Sequence, residues 1–134
     1  MRIHNLTVCD NIRVEDNGKF ILIGVYTNAI LFPQLPAQFN FNIWVLLEAE
    51  QLGKSNFAFR GRMPDFDVDL FEITGEINAV DLNQWTPMAF GAPVLIGQPG
   101  KVAIEVKFDG GEWELLRTMN IARGPVPSLP RPPL

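Results

Sequence analysis

The chain has 134 residues, of which 47% are apolar and 19% charged, and its formal net charge is −4. That length fits one domain able to bury roughly two thirds of the surface of its unfolded chain, and the composition is typical of globular proteins. The acidic excess and the scattered basic residues argue against nucleic-acid binding. No apolar stretch approaches the roughly 20 residues of a membrane helix, no signal-peptide segment is evident, and a lone cysteine excludes an internal disulfide. We therefore expect a cytoplasmic protein without a membrane partner.

The first predicted element is a β-hairpin over residues 9–26. Its turn, Asp16-Asn17-Gly18, combines residues that tolerate positive φ, and an apolar strand follows at residues 20–27. Because that strand is apolar at both parities, we expect a central strand covered on both faces. Gly24 within it predicts a bulge or a close approach of two backbones.

Asp10 lies in the apolar row of the first strand, where a straight strand would bury its carboxylate. Burying an unpaired carboxylate is strongly unfavourable. We therefore predict that the strand breaks at residues 9–11 and that Asp10 caps backbone amides in a turn. The alternative is a polar site in which Asp10 pairs with Arg13 or Arg60.

Period-two alternation of apolar residues predicts four further strands. Their apolar rows are Phe39, Phe41, Ile43, Val45 and Leu47; Phe57, Phe59 and Met63; Val102, Ile104, Val106 and Phe108; and Trp113, Leu115, Met119 and Ile121. Asp109-Gly110-Gly111 joins the last two as a second hairpin, and Arg117 interrupts the final row, which predicts a bulge or a register change there. Strands separated by turns every dozen residues or so indicate a single all-β domain over residues 1–124, an immunoglobulin-like antiparallel β-sandwich of about seven strands.

The opening hairpin also carries a family resemblance. Its motif consists of Cys9-Asp10, Arg13, Glu15, Gly18-Lys19 and the run Leu22-Ile23-Gly24-Val25-Tyr26, followed by a proline-containing turn and the strand with Trp44. This pattern resembles a family of small bacterial and prophage proteins known as a domain of unknown function, and the turn at residues 110–113 is a weaker second match. The resemblance covers most of the chain and implies an all-β fold in a bacterial or phage setting. It brings no catalytic residues with it.

Asp65, Asp67 and Asp69 belong to the most conspicuous acidic cluster of the chain. Counted from Asp65, acids occupy positions one, three, five and twelve of a calcium loop, but position six is Leu70 where such a loop requires glycine. The segment instead predicts a strand with three aspartates on one face, about 7 Å apart. A solvated acidic face is our first interpretation, and a cation site is the alternative.

Residues that serve known catalytic and metal sites are scarce. His4, in the first strand near the terminus, is the only histidine, and Cys9 is the only cysteine. A lone cysteine at a strand end is typically a small buried hydrophobe, and one histidine with one cysteine does not supply a zinc site without carboxylates or a second subunit. We therefore predict no catalytic residues, no cofactor and no metal, and a protein that is not an enzyme.

Trp44 and Leu46 lie on the second face of a strand whose first face is already fully apolar. Large apolar groups in that position need a cover. Either residues 78–93, which include Trp85, cover them within the chain, or a partner does so with Trp44 as the anchor of the interface. A carbohydrate platform built from Trp44 and Trp85 is a third possibility.

Residues 125–134 differ in composition from the rest of the chain and form a proline-rich tail. Proline at this density favours extended polyproline geometry and excludes a central strand. We expect the tail to dock on its own domain, on a neighbouring copy or on another protein, rather than to be a loose end. The candidate interface residues are therefore Trp44, Leu46, Trp85, Pro127, Leu129 and Pro130.

These observations favour a non-enzymatic interaction or structural subunit that self-associates as a homo-oligomer or binds another protein. The alternative function is a β-sandwich domain that binds a small ligand, either a carbohydrate or a cation. A defined multimer with a large buried apolar face would indicate the subunit, whereas a monomer with a concave aromatic pocket would indicate the ligand-binding domain.

Overall fold

The computed structural model describes residues 1–125, which form nine β-strands and one short 3₁₀ turn. The strands are β1 (Arg2–Val14), β2 (Phe20–Tyr26), β3 (Ala29–Phe32), β4 (Ala37–Glu48), β5 (Gly53–Met63), β6 (Val68–Ala79), β7 (Trp85–Ile96), β8 (Gly100–Phe108) and β9 (Glu114–Arg123), with the 3₁₀ turn at Pro64–Phe66. The all-β prediction is confirmed, and no helix within residues 1–125 has the length and apolarity needed to cross a membrane. The candidate interface residues Pro127, Leu129 and Pro130 lie outside the described residues.

The nine strands form two sheets. Sheet A has the order β2-β1-β4-β7, and sheet B has the order β3-β9-β8-β5-β6. The ladders are antiparallel apart from the one between β3 and β9, which is parallel, so the predicted purely antiparallel arrangement is wrong at this edge. The strand count exceeds the predicted seven because β3 and β7 were not expected: Pro33 directly follows β3, and β7 contains Pro87 and Pro93, and such prolines indicated loops.

The core lies between the two sheets and follows the predicted alternation. In β4 the odd residues from Phe41 to Leu47 are at most 1% exposed, while the even residues face outward. Aromatic rings join the sheets: the ring centres of Phe41 and Phe71 are 5.3 Å apart, and those of Phe59 and Phe90 are 5.4 Å apart. Burial of each large apolar side chain stabilises the fold by roughly 1.5–3 kcal/mol, and this inter-sheet layer therefore holds the domain together.

Two phenylalanine rings lie across glycines of the neighbouring strand in sheet B. In the β5–β6 ladder, Phe57 pairs with Gly75 and Phe71 pairs with Gly61. A Cβ on Gly61 would lie 2.8 Å from Cζ of Phe71, and a Cβ on Gly75 would lie 2.9 Å from Cε1 of Phe57. The rings occupy the space that side chains at these two positions would need, so both positions require glycine.

β1 runs without a break through residues 9–11, so the predicted break is wrong. Asp10 stays within the strand because its side chain is exposed rather than buried, and it accepts a hydrogen bond from the hydroxyl of Tyr26. The neighbouring residue on β2 is Gly24, with φ of 68°, whose missing side chain leaves room for the carboxylate. A bulge or a close approach of two backbones was predicted at Gly24, whereas the atoms that approach it belong to the side chain of Asp10.

β2 is an edge strand of sheet A and not the predicted central strand. Its residues Ile21, Ile23 and Val25 are 40%, 43% and 53% exposed. Apolar residues at both parities indicated cover on both faces, but here only one face of the strand packs against the protein. The other face is an exposed apolar surface.

The hairpin of β1 and β2 folds over the outer face of sheet A. Thr7 pairs with Trp44, and Phe20 pairs with Val14. A straight β1 would place Val14 about 23 Å from Thr7, yet the rings of Phe20 and Trp44 are 6.1 Å apart. The tip of the hairpin therefore curls back over Trp44, and we call residues 10–24 the flap.

The irregularity predicted at Arg117 is confirmed. The β8–β9 register shifts between Ile104 and Glu105, where Arg117 is paired with Ile104. The Arg117 guanidinium then donates from Nη2 to the carbonyl oxygen of Tyr26 at 3.0 Å and to that of Thr27. This contact ties the end of β2 in sheet A to β9 in sheet B.

Candidate functional site

The outer face of sheet A carries exposed apolar side chains along β7. The outward residues of this strand, which we call the apolar row, are Trp85, Pro87, Ala89, Gly91, Pro93 and Leu95. Trp85 is 52% exposed and Leu95 is 65% exposed, and no residue of the row is charged. From Met88 to Ile96 the alternate residues of β7 face the core, so this part of the strand is apolar on both faces although one of them is open to solvent. Exposed apolar surface of this kind marks interaction sites.

Two prolines protect the free edge of β7. This strand is the last one of sheet A, and both Pro87 and Pro93 occupy ladder positions opposite β4. Because proline has no N–H, its nitrogen points away from the paired neighbour and toward the free edge. Another strand therefore cannot add along this edge, and a partner has to pack against the face of the sheet.

Trp44 and Leu46, which were predicted to need a cover, are half-buried beside the apolar row. The alternative of an internal cover by residues 78–93 is wrong, because β7 lies next to β4 in the same sheet, with Leu46 opposite Pro87. The flap covers Trp44 on one side through Phe20. The buried Nε1 of Trp44 has no hydrogen-bond partner within residues 1–125.

Cys9 is buried beneath the flap. It lies on the outward side of β1 opposite Asn42, yet it is 0% exposed and does not belong to the inter-sheet core. Its thiol donates to the carbonyl oxygen of Asn11 at 3.4 Å, and burial raises the pKa of that thiol. The prediction of a small buried hydrophobe is confirmed, because a reactive cysteine needs exposure and a lowered pKa.

An open groove of about 550 Å³ lies beside the flap on the same face. Its lining residues are Asp10, Gln38, Phe39, Asn40, Asn42, Pro93, Val94 and Leu95. Gln38, Asn40 and Asn42 are successive outward residues of β4, and we call this site the amide groove. Among residues 1–125, Asp10 is the only charged residue of the lining.

Two hydrogen bonds hold Asp10 in the groove. Tyr26 donates its hydroxyl hydrogen to the carboxylate, and Asn42 donates from Nδ2 to the backbone oxygen of Asp10 at 2.7 Å. Burial and the hydrogen bond to Asp10 raise the pKa of Tyr26 to about 12, so Tyr26 is a neutral donor at neutral pH. Asp10 makes no ion pair with Arg13, and the predicted alternative of an Asp10–arginine site is wrong within residues 1–125.

The three aspartates of the predicted cation site lie apart from Asp10. Asp65 belongs to the 3₁₀ turn, and Asp67 ends it with φ of 52°. The prediction that Asp65, Asp67 and Asp69 share one strand face is therefore wrong. Arg62 binds Asp67 at 2.5 Å and lies 3.8 Å from Asp69. No three His, Cys, Asp or Glu side chains of residues 1–125 form a group that could hold a metal ion.

A polar corner bounds one end of the apolar row. The rings of His4 and Trp85 stack with their centres 3.9 Å apart, and Nε2 of His4 lies 2.7 Å from Oε1 of Glu48. Arg2 approaches the same carboxylate at 3.8 Å. The row thus runs from this corner to the amide groove, with polar groups at each end, as expected for the rim of an interface.

The outer face of sheet B is covered by charged side chains. Arg60 donates from Nε to Oε1 of Glu105 at 2.9 Å, and is not a partner of Asp10. The Arg60 guanidinium also lies 4.1 Å from the ring centre of Trp113, and Nζ of Lys107 lies 4.8 Å from it. Charges on this face are therefore compensated by their own neighbours.

The flap and the amide groove were not predicted from the sequence. The alternation of Gln38, Asn40 and Asn42 with apolar residues was visible and indicated a solvent-facing row. The alternation does not indicate which element curls over this row. It also does not indicate that Asp10 lines the groove. Such a site arises from contacts between residues about 30 positions apart.

A protein-family model matches most of the chain. The model of a family described as "Family of unknown function (DUF6941)" matches residues 4–120. The match begins in β1 and extends into β9, and it includes the flap, the amide groove and the apolar row. No curated protein is significantly similar to the chain. The predicted membership of a family of unknown function is confirmed.

Proposed function

The chain belongs to this family of unknown function, and we propose that it acts as a non-enzymatic interaction subunit that self-associates through the outer face of sheet A. The observation that carries the proposal is the apolar row, an uncharged strip whose end residues Trp85 and Leu95 are both more than half exposed. Half-buried Trp44 and Leu46 lie beside the row and widen it. A contiguous apolar surface bounded by polar residues is typical of protein interfaces.

A second copy of the chain is the partner that fits this face best. Because the row carries no charge, two copies related by a twofold axis bring no like charges together along it. Pro87 and Pro93 exclude pairing of strand edges, so the two copies pack face to face, at the spacing of about 10 Å that is usual for stacked sheets. Trp85 and Trp44 then supply large aromatic surfaces of the kind that dominate interface energies.

We also propose that the two sheets form an immunoglobulin-like sandwich. In such domains strand A pairs with B and B with E in one sheet, whereas C, F and G pair in succession in the other. The ladders β1–β4 and β4–β7 match the first set, and β5–β8 and β8–β9 match the second. Parallel pairing of β3 with β9 corresponds to a split first strand that crosses to the second sheet, and β2 is then an insertion that forms the flap.

Light scattering on purified protein tests self-association with a matched pair of substitutions. Leu95 in the apolar row and Leu115 on β9 of sheet B are exposed to a similar extent, 65% and 62%. We expect wild-type mass above the 15.0 kDa of one chain. Leu95→Glu weakens association at least roughly tenfold, because it buries a carboxylate in the interface. Leu115→Glu leaves the mass unchanged.

Two results would contradict the proposal. A wild-type protein of 15.0 kDa at high micromolar concentration would show that the outer face of sheet A does not bind a second copy. Equal effects of Leu95→Glu and Leu115→Glu would show that association, if present, does not use the apolar row. Unfolding curves of both variants separate a loss of association from a loss of folding.

Binding of a small carbohydrate or a cation is the less supported alternative. A sugar platform needs open aromatic faces, whereas Trp44 is partly covered by Phe20 and Trp85 is stacked on His4. A cation needs several oxygen ligands, whereas Asp67 and Asp69 already lie beside Arg62. These contacts favour a protein partner over either small ligand.

A further inference from the structure

The amide groove differs in chemistry from the apolar row beside it. Gln38, Asn40 and Asn42 project from alternate residues of β4, so their amides repeat about every 6.6 Å. Each amide both donates and accepts hydrogen bonds. Asp10 adds the only charge of the lining, and Pro93 adds an apolar wall. Such a surface suits an extended segment whose backbone groups have no partner in a sheet.

The chain itself contains a segment with these properties. Residues 126–134 include four prolines, and Arg131 is the only charged side chain among them. Proline-rich sequences favour polyproline geometry, whose backbone makes no internal hydrogen bonds and which binds in grooves lined by apolar side chains. The carbonyl groups of such a segment need donors, and the groove amides are donors.

The described part of the chain ends close to the groove. The N–H of Gly124 donates to the carbonyl oxygen of Phe32 at 2.9 Å. The ring of Phe32 lies 5.5 Å from the ring of Phe39, which lines the groove. Nine residues in polyproline geometry span about 28 Å, several times the 5.5 Å between the rings of Phe32 and Phe39.

We propose that the amide groove is the docking site of the chain's own residues 126–134, with the guanidinium of Arg131 at the carboxylate of Asp10. Charge complementarity supports this assignment, because the one carboxylate of the lining makes no ion pair within residues 1–125 and the one charged side chain of the segment is a cation. The docking is intramolecular and does not rest on self-association through the apolar row.

A spin label in the segment tests the docking in the full chain. Cys9 is 0% exposed, so Ser128→Cys provides the single accessible attachment point for a nitroxide, and wild-type protein treated with the same reagent controls for reaction at Cys9. The nitroxide broadens NMR signals of nearby nuclei. We expect selective broadening of the side-chain amide signals of Gln38, Asn40 and Asn42, while the indole signal of Trp113 on sheet B stays sharp.

Substitutions of Arg131 test the ion pair without touching the groove. Arg131→Gln lowers the ratio of docked to free segment by up to roughly fivefold, the range of an exposed ion pair. Arg131→Lys keeps the charge and most of the docking. Equal broadening of the groove amides and of Trp113, or identical broadening in both Arg131 variants, would overturn the proposal.

A mixing experiment distinguishes the chain's own segment from that of a second copy. Spin-labelled protein without ¹⁵N is mixed with ¹⁵N-labelled protein without the spin label. If the segment docks on its own chain, the groove amides of the ¹⁵N-labelled molecules stay sharp. Broadening of those amides in the mixture would place a neighbouring copy's segment in the groove and overturn the intramolecular assignment. Combining the spin label with Ala89→Glu, a substitution in the apolar row but outside the groove lining, separates broadening across a self-associated face from docking of a neighbouring copy's segment.

Discussion

The outer faces of the two sheets differ in the side chains that they expose to water. On sheet B, Arg60 and Lys107 lie over Trp113, and Glu105 binds Arg60 at 2.9 Å. On sheet A, the outward residues of β7 are apolar from Trp85 to Leu95, and the flap covers only part of the face. The first face is compensated by its own residues, whereas the second exposes surface that water does not favour.

The difference between the two faces bears on where the proposed interaction surface lies. Exposed ion pairs contribute little to stability, but they keep a sheet surface soluble without further cover. An apolar face is costly to expose unless something covers it. The prolines of β7 add a second distinction, because they block growth of sheet A by strand addition while leaving its face accessible. The contrast between the faces is therefore our main argument for an interaction surface on sheet A.

We expect the largest effect from substitutions that displace the flap, because they would enlarge the exposed apolar surface of sheet A. Gly24 has φ of 68°, and a Cβ there would lie 2.9 Å from Cγ of Asp10. Gly24→Ala should lower the free energy of unfolding by about 2–4 kcal/mol, since backbone strain and a collision add. Gly18 has φ of 86° with no atom within 4 Å, so Gly18→Ala should cost only about 1–2 kcal/mol.

Urea denaturation of the two glycine variants measures this difference. Equal losses of stability would show that the flap tolerates a side chain beside Asp10, and would remove the collision from the explanation. Binding of a hydrophobic dye should rise in Gly24→Ala under native conditions, because Trp44 and Cys9 lose their cover.

Alkaline pH tests the edge of sheet A through the hydroxyl of Tyr26. The pKa of Tyr26 is raised to about 12 in the folded protein, mainly by burial, against 10 in the unfolded chain. The unfolded chain therefore loses this proton first, so the stabilisation is complete below pH 10 and is lost as the pH rises toward 12.

Stability curves of wild type and Tyr26→Phe between pH 9 and 12 check this dependence. The slope of wild type should exceed that of Tyr26→Phe by less than about 1.4 kcal/mol per pH unit, since Tyr26 is only half-buried. Cys9, whose thiol pKa is also raised by burial, contributes with the same sign to both proteins. Parallel curves would mean that the Tyr26 hydroxyl ionises as freely in the folded protein as in the unfolded chain.

We expect the smallest effect from substitutions on the outer face of sheet B, where charged side chains pair with their neighbours. Arg60→Met removes the bond to Glu105 and the contact with Trp113, and should lower the free energy of unfolding by about 1 kcal/mol. Lys54 makes an exposed pair with Glu76 at 3.8 Å, so Lys54→Met should change stability by less than about 0.5 kcal/mol. Neither variant should change oligomeric mass, and a change in mass for Arg60→Met would place part of the interface on sheet B.

Much of the fold was predictable because most strands alternate cleanly. The odd residues of β4 and the even residues of β8 were assigned to the core correctly, since a two-residue period leaves only one face to bury. The bulge at Arg117 was also predictable, because a charged residue interrupted the row. β7 was missed because Pro87 and Pro93 indicate a loop unless the strand is known to lie at an edge.

The candidate site was predictable only in part. Trp44 and Leu46 were named from their apolar character on a second face, and Trp85 was named as part of a segment that could cover them. All three lie on or beside the outer face of sheet A. The position of Asp10 was not predictable, because a charged residue in an apolar row indicates a break in the strand. The structure instead puts it opposite Gly24, a partner 14 positions away that has no side chain.

Local chemistry alone determined most of the strands, their turns and the core rows of β4 and β8, because period, turn residues and side-chain polarity act over a few neighbours. Tertiary structure decided which strands became edges, where the opening hairpin curled and which outward face stayed apolar. These outcomes depend on contacts between distant segments, such as Phe20 with Trp44 and β4 with β7. No local pattern encodes them, because the same alternating strand packs equally well at the centre or the edge of a sheet.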